Sequence, residues 1–458
     1  MMVPMQSRRL ITELGMMLAL GACGQRAAGV DADVDAVVTP DACEGLACFI
    51  VDCGPKGLPP TTISGTVYAP NGTLPLYGVN VYVPGADPGP LPAGVQCDQC
   101  ANSLPGGAVA QTVTDEAGRF TLLNVPATSS VPLVLQVGKW RRQITVPAVA
   151  ACQDLALPAA DTRLPRTQAE GDLPKIAITT GGADALECLV RKLGVDDTEF
   201  TTDAGAGAVH LYVGNGANQF AAGFPGGTGL MSDATTLWSS LDKMKQYDIT
   251  LMSCEGAQLP GTKPQASMQV LHDYAGLGGR VFMSHWQNIW IGGESGVPAH
   301  SLADWQSVAT FDYAAAQGEA TQLTVVDQTV PKGMKFASWL ANVGASPTLG
   351  QVSVNEPRYT AQAVDSTKAE RWIYVDPALS TPLGKTGIQN FLFTTPVDAT
   401  PAQKCGKVVF SDMHVSSGSS SVGGSAFPTG CATTDLTPQE KALAFIFFDI
   451  STCVGVLQ

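Results

Sequence analysis

The sequence predicts an α+β chain of more than one domain: a small β-sandwich followed by an α/β domain built on a mainly parallel sheet. Three observations carry this expectation. From Thr61 to Pro147 apolar residues recur at period two, in short runs such as "TISGTVYAP", "YGVNVYV" and "GRFTLLNVP" separated by Gly, Pro and Asn. From Lys175 onward, continuous apolar runs ("KIAITTG", "DITLMSC", "RVFMSHW") alternate with helical patterns, as in strand–helix–strand units whose sheet is covered on both faces. Between the two regions lies the Pro-rich connector "CQDLALPAADTRLPRTQAEGDLP". The chain has 458 residues, 45% of them hydrophobic, which is enough for more than one core. Its formal charge of −14, its pI near 4.7 and the lack of any run of Lys or Arg disfavour a nucleic-acid partner.

Residues 1–23 read as an export signal: Arg8 and Arg9, the apolar run "LGMMLAL", then "LGAC" ending at Cys23. The run is too short to span a bilayer, which needs about 20 apolar residues. "LGAC" resembles the lipobox of bacterial lipoproteins. That resemblance implies cleavage before Cys23, lipid attached to it, and anchorage to the cell envelope through that lipid, with Gly24 at the next position favouring the outer membrane. The alternative is a plain signal peptide with Cys23 in a disulfide. Residues 24–58 are small, acidic and without periodicity, and read as a flexible tether. Asp31, Asp33 and Asp35 have the opening spacing of a calcium loop, but the Gly and closing Glu are missing. Cys43, Cys48 and Cys53 are expected to staple a small knot leading into the first domain. Twelve cysteines less Cys23 leave eleven, so in an oxidising space at least one is free or intermolecular.

Residues 59–150 form the predicted sandwich. Within it "TDEAGRF" reads as a turn in which Gly118 supplies the permissive backbone, while Phe120 and Leu122 point together into the core. With "ISGTVYAPNGTLPLYGVNVYVPG", this turn resembles the carboxypeptidase regulatory-like domain, a transthyretin-like sandwich. The resemblance implies a spacer or adhesion module, grouped by fold alone with carbohydrate-binding sandwiches. Cys97 and Cys100 of "CDQC" have zinc-knuckle spacing, but a single pair in this compartment is better read as a local disulfide. "GKWRRQ" gathers Lys139, Trp140, Arg141 and Arg142 into the one tight basic and aromatic cluster. It is a candidate binding patch, although an edge strand with half-buried Trp140 and guarding charges is the preferred reading.

After the connector, residues 151–173, the α/β domain covers 174–458. The helix "ADALECLVRKLG" ends at Gly194, and "TPQEKALAFIFFDIS" opens with a capping box of Thr437 and Glu440. Helices are also expected over "TLWSSLDKMKQY" and "SMQVLHDYAGLGG", and a late strand over "KVVFSDMHVS". The stretch between "RVFMSHW" and that late strand reads as long and irregular.

Functional loops in such a sheet gather at the C-terminal ends of its strands. Those ends hold Ser253, Cys254 and Glu255; Ser284, His285 and Trp286; and Asp412 and His414. A Cys, two His and two carboxylates are the parts of a Cys-His-acid triad or of a metal site. The order of elements resembles the class I glutamine amidotransferase-like fold, including its trehalose-utilisation-type branch. Under that resemblance Cys254 falls in the oxyanion-loop position and "FMSHWQN" holds the nucleophile-elbow position, without a Cys and without the flanking glycines. "SDMHVS" stands where the amidotransferases have His-x-Glu. The expectation is therefore a degenerate, non-catalytic domain, with Cys254 in a structural disulfide, for which Cys188 is the named partner, or as a buried free thiol.

His285 and His414, with Asp412 or Glu255, are the candidates for a divalent metal or a small ligand, and no cofactor is otherwise expected. Trp286, Trp290 and Trp305 are candidates for a sugar cleft, with core packing as the simpler alternative. Taken whole, the chain resembles bacterial lipoproteins that join a regulatory-like sandwich to a degenerate amidotransferase-like domain. Two functional expectations follow. The first is a non-enzymatic envelope lipoprotein that binds a protein partner or glycan. The rival is a hydrolase of cell-surface material using a His and carboxylate site, metal-dependent in one form. An enzyme or metal site should bring the two imidazoles within coordinating or hydrogen-bonding distance in an open cleft, whereas in the binding protein they stand apart or are buried and satisfied.

Overall fold

A computed structural model of the protein describes residues 43–458 apart from 101, 316–320, 380–386, 416–424 and 456–458. Cys23 and the Asp31, Asp33, Asp35 run lie outside the described residues. The sandwich pairs a three-stranded sheet (Arg119–Leu123, Thr62–Thr66, Asp154–Ala156) with a four-stranded one (Ala108–Val113, Asn80–Pro84, Ser130–Val137, Trp140–Pro147). Period two is realised on Arg119–Leu123, where Phe120 and Leu122 are buried and their neighbours are exposed. The preceding turn is fixed by the Asp115 carboxylate, which accepts from the amides of Ala117 (2.9 Å) and Arg119 (2.8 Å). Gly118 adopts φ +73°, and a Cβ there would come within 2.7 Å of Pro75, so both the turn and the packing require glycine. The strand Asp154–Ala156 lies inside the segment read as connector, and it pairs in parallel with Thr62–Thr66.

The second region is built on an eleven-stranded mixed sheet. Six strands run parallel in the order Ser232–Asp233, Val209–Val213, Ile176–Thr179, Ile249–Met252, Arg280–Ser284, Gly406–Ser411, and Phe200–Thr201 pairs beside Val209–Val213. Ile176–Thr179, Ile249–Met252, Arg280–Ser284 and Gly406–Ser411 are buried at every residue, as a sheet covered on both faces demands. Among its described residues, the stretch expected to be irregular is instead regular. It supplies four antiparallel strands (Gly387–Thr395, Ala369–Val375, Gln322–Val326, Gln351–Val354) and the helix Pro331–Asn342. Those strands pair antiparallel, and only Gln322–Val326 and Gln351–Val354 have a long helix between them, so a search for parallel strand–helix units passes over them.

Leu186–Lys192 and Gln265–Gly276 are helical as expected, and the capping box forms on Pro438–Ile450, where Thr437 and Glu440 bond reciprocally. "TLWSSLDKMKQY" breaks into two short helices, Thr235–Trp238 and Leu241–Met244, because the Ser240 side chain caps the second one. No helix among the described residues is long and apolar enough to cross a membrane.

Residues 44–458 form one compact unit, and the cysteines show how the two regions are fastened. The local Cys97–Cys100 disulfide expected from spacing does not form. Cys97 bonds Cys405 and Cys100 bonds Cys453, because their loop lies against the far end of the large sheet, with the Gln96 carbonyl packed on Gly278. Cys53 bonds Cys152 across the sandwich, Cys188 bonds Cys431, and Cys43 and Cys48 are also disulfide-bonded. Among the described cysteines Cys254 alone is free, which corrects its proposed pairing with Cys188.

"GKWRRQ" is part of the same seam. Lys139 Nζ donates to Asp248 (2.5 Å) and to the carbonyls of Pro92 and Gly94, Arg141 pairs with Asp172 (2.8 Å), and Trp140 is buried against Phe448. Arg142 donates to the carbonyls of Ala160 and Arg163. The cluster is therefore committed inside the protein and does not form a free binding patch.

Candidate metal centre

Parallel pairing aligns the strand ends, with Met252 beside Met283, Met283 beside Phe410 and Ser284 beside Ser411. Cys254, His285 and His414 therefore leave the same edge of the sheet. One ligand atom from each converges with the other two, all lying within 4.8 Å of one another, and this is the group of metal-ligating side chains found among the described residues. Cys254 Sγ stands 3.6 Å from His285 Nδ1, and the two imidazole rings lie 5.2 Å apart. A tetrahedral ion with a thiolate at about 2.3 Å and an imidazole at about 2.0–2.1 Å would separate sulfur and nitrogen by about 3.6 Å. The sulfur–nitrogen spacing therefore already matches one edge of such a site.

His285 follows its strand at a sharp turn into a helical segment and adopts φ +36°, which is costly for a residue with a Cβ. The strained elbow thus forms without flanking glycines and presents an imidazole where a nucleophile was sought. His414 is 8% exposed, and its Nε2 meets no hydrogen-bond partner among the described residues. Burial, and then the charge of Arg358, push its pKa down to about 3, so the imidazole is neutral and its lone pair is available. Cys254 is fully buried. Burial pushes its thiol up to about 12, although the backbone amides of Trp286 and Gly256 point at the sulfur and favour the thiolate.

The carboxylates named beside these residues are engaged elsewhere. Glu255 is buried in an ion pair with Lys263. Asp412 accepts from the Thr360 hydroxyl (2.7 Å) and the Ala361 amide (2.9 Å), and burial first of all raises its pKa to about 7. Trp290 and Trp305 are core residues, Trp290 against Trp238 and Trp305 against Phe393, so neither lines a cleft; Trp286 lies half-buried against the His285 ring.

Three further residues belong to the site and escaped sequence reading. Asp184 is fully buried; it accepts from Ser284 Oγ (2.5 Å), the Val415 amide (2.7 Å) and the Ala185 amide (3.0 Å), and burial leads in lifting its pKa to about 6. It joins the strand ends of Arg280–Ser284 and Gly406–Ser411. Glu187, one helical turn on, is pushed up to about 8 by burial, with Asp184 adding to the rise. Arg358 places its positive charge on Asp184, Cys254, Asp412 and His414 together. Asp184 was recoverable, since it follows the strand Ile176–Thr179 just as Cys254 follows Ile249–Met252. Arg358 gave no signal, because it lies in the stretch read as irregular.

A surface cleft of about 980 Å³ lies elsewhere, lined by residues such as Arg166, Arg191, Lys441 and Asp435, and none of the three converging residues lines it.

Comparison with known proteins adds little. No family model matches the chain, and no curated protein matches it. Among solved structures, an N-terminal interface mutant of a type II cohesin–X-dockerin complex from Acetivibrio cellulolyticus matches at 18% identity and a TM-score of 0.17, over 30% of this chain and 85% of that one. The corresponding C-terminal interface mutant matches at 16% identity and a TM-score of 0.16, over 31% and 75%. Likeness at that level supports no statement about fold or function.

Proposed function

We propose that the chain is an envelope-tethered, non-hydrolytic protein whose second region holds a transition-metal ion on Cys254, His285 and His414. The observation that supports this most directly is the convergence of one thiol and two imidazoles, from three adjacent strand ends, within 4.8 Å. The His414 imidazole is already neutral, and the Cys254 thiol would give up its proton to the incoming ion. The residues are 0%, 2% and 8% exposed, which suits a held ion and leaves no open cleft for a polymeric substrate.

The test is metal content of the mature chain, made in an oxidising compartment so that its disulfides form, beside Cys254→Ser and His414→Gln variants checked by circular dichroism. About one equivalent of metal in the native chain, and a loss of at least about 10²-fold in affinity in each folded variant, is the expected result. A native chain that takes up no ion when offered zinc, copper or cobalt overturns the reading.

The 3.6 Å spacing of Cys254 and His285 also fits a cysteine nucleophile with its base. A nucleophile must be ionised and reachable, and this thiol is neither. In the metal-free folded chain, iodoacetamide at pH 8 should modify Cys254 at least about 10²-fold more slowly than in the urea-unfolded chain. Equal rates, measured by mass spectrometry of the Cys254 peptide, would favour the nucleophile instead.

A further inference from the structure

Resting on the metal-holding reading above, we propose that the centre selects monovalent copper over zinc, holding it in a three-coordinate site made of Cys254, His285 and His414. Ligand number is the first argument. Zinc in a closed structural site takes four protein ligands, and a catalytic zinc with three keeps water in the fourth position. Among the described residues only Cys254, His285 and His414 bring ligand atoms within 4.8 Å of one another; Glu187, whose buried Oε2 has no hydrogen-bond partner there, is not one of the group. The chain has five histidines. His210 bonds the Tyr247 hydroxyl, His272 bonds Asp304, and His300 bonds the Lys263 carbonyl, so no third imidazole turns toward the site. The other described cysteines are oxidised. Asp184 has three donors, Asp412 has two, and Glu255 holds Lys263. The sequence "SSGSSSVGG" that follows Val415 contains no Cys, His, Met, Asp or Glu.

Water is the other source of a fourth ligand, and the burial of all three residues works against it. None of the three lines any of the five clefts and cavities walled by residues such as Arg166, Trp339, Arg163, Asp248 and Trp140. Soft, low-charge ions are content with thiolate and imidazole donors in small number, whereas hard ions need oxygen.

Charge is the second argument. A thiolate with a monovalent ion is neutral overall, whereas a thiolate with a divalent ion leaves a buried positive charge. Arg358 already acts on Cys254 and His414 with its own positive charge, so a second one meets repulsion as well as the cost of desolvation. Asp184 is the carboxylate that acts on Cys254, and it and Asp412 spend their oxygens on hydroxyl and amide donors.

The experiment is an anaerobic competition titration of the mature, disulfide-bonded chain against chromophoric chelators. Cu(I) is supplied as its acetonitrile complex and Zn(II) as its sulfate, with Cys254→Ser and His414→Gln chains in parallel. The expected result is one Cu(I) per chain, bound at least about 10³-fold more tightly than Zn(II), with binding lost in both variants. One equivalent of Zn(II) that Cu(I) does not displace, lost in the same variants, overturns the copper assignment and leaves the metal-holding reading intact. No uptake of either ion overturns both, and so does Cu(I) uptake that survives in both folded variants, since the ion would then sit elsewhere.

Discussion

Metal-loaded protein is expected to melt about 5 °C above the metal-free chain when free metal exceeds its dissociation constant a thousandfold, and the gain should vanish in Cys254→Ser. An ion that binds only the folded state stabilises it by RT ln(1 + [L]/Kd), about 4 kcal/mol at that ratio. The melting entropy of a folded unit of this size is on the order of 0.9 kcal/mol per degree. Dividing the first by the second gives the shift. The strained elbow sharpens the expectation, because in the metal-free chain His285 holds φ +36° with no metal bond in return. The check is differential scanning calorimetry at several metal concentrations. A melting temperature that stays flat while metal binds would mean that the ion binds folded and unfolded chains alike, so the convergence of the three ligands would not be a pre-formed site.

Replacing Asp449 with Asn should cost about 3–5 kcal/mol, a larger loss than any single change at an exposed charge. Asp449 is buried near the end of the closing helix. It accepts from Lys332 Nζ at 2.5 Å and faces Lys407 Nζ at 3.7 Å. Burial alone would raise its pKa, but the two ammonium groups more than offset this and leave it below its ordinary value. Lys407 has no other carboxylate in salt-bridge contact and is pushed down to about 8, by burial first. The variant therefore strands buried Lys407 beside a cavity of about 250 Å³ walled by Trp339, Trp372 and Phe445, while Lys332, one-third exposed, can turn to water.

The pH dependence follows from the direction of the Lys407 shift. Between about pH 8 and the ordinary lysine value the unfolded chain binds more protons than the folded one, so stability rises with pH through that window. Without Asp449 the folded pKa drops further, and the deficit of the variant should shrink as pH is raised from 7 to 10. Urea unfolding at those pH values, with the disulfides intact, decides the matter. A loss under about 1 kcal/mol at pH 7 would mean that water reaches Lys407 more freely than its burial implies.

Much of the architecture was legible because the governing signals are local. Period-two patterning found the sandwich, continuous apolar runs found Ile249–Met252 and Arg280–Ser284, and Thr437 with Glu440 announced the last helix. What escaped was decided by distant partners. The spacing of Cys97 and Cys100 argues for a short loop, yet their partners lie 308 and 353 residues away, and no local rule sees that far. The antiparallel half of the large sheet was lost because its strands are joined by turns and loops, with a single long helix between them. At the site, the strand-end rule found Cys254, His285 and His414, while Asp184 lies farther along the loop that follows Ile176–Thr179. Arg358 acts through space on four groups and has no sequence pattern of its own.

The two long-range disulfides also bear on how the chain must be made. Under the proposed envelope location, a chain exported N-terminus first would bring Cys97 and Cys100 to the oxidising side while Cys405 and Cys453 were still more than 300 residues from emerging. For that interval the two thiols of "CDQC" have only each other and the early cysteines within reach, and a premature local bond would have to be undone by thiol exchange. Maturation is thus gated by arrival of the last segment of the chain. A product cut short before Cys453 leaves Cys100 without its partner, so one of the two bonds that fasten the regions depends on the last few residues of the chain.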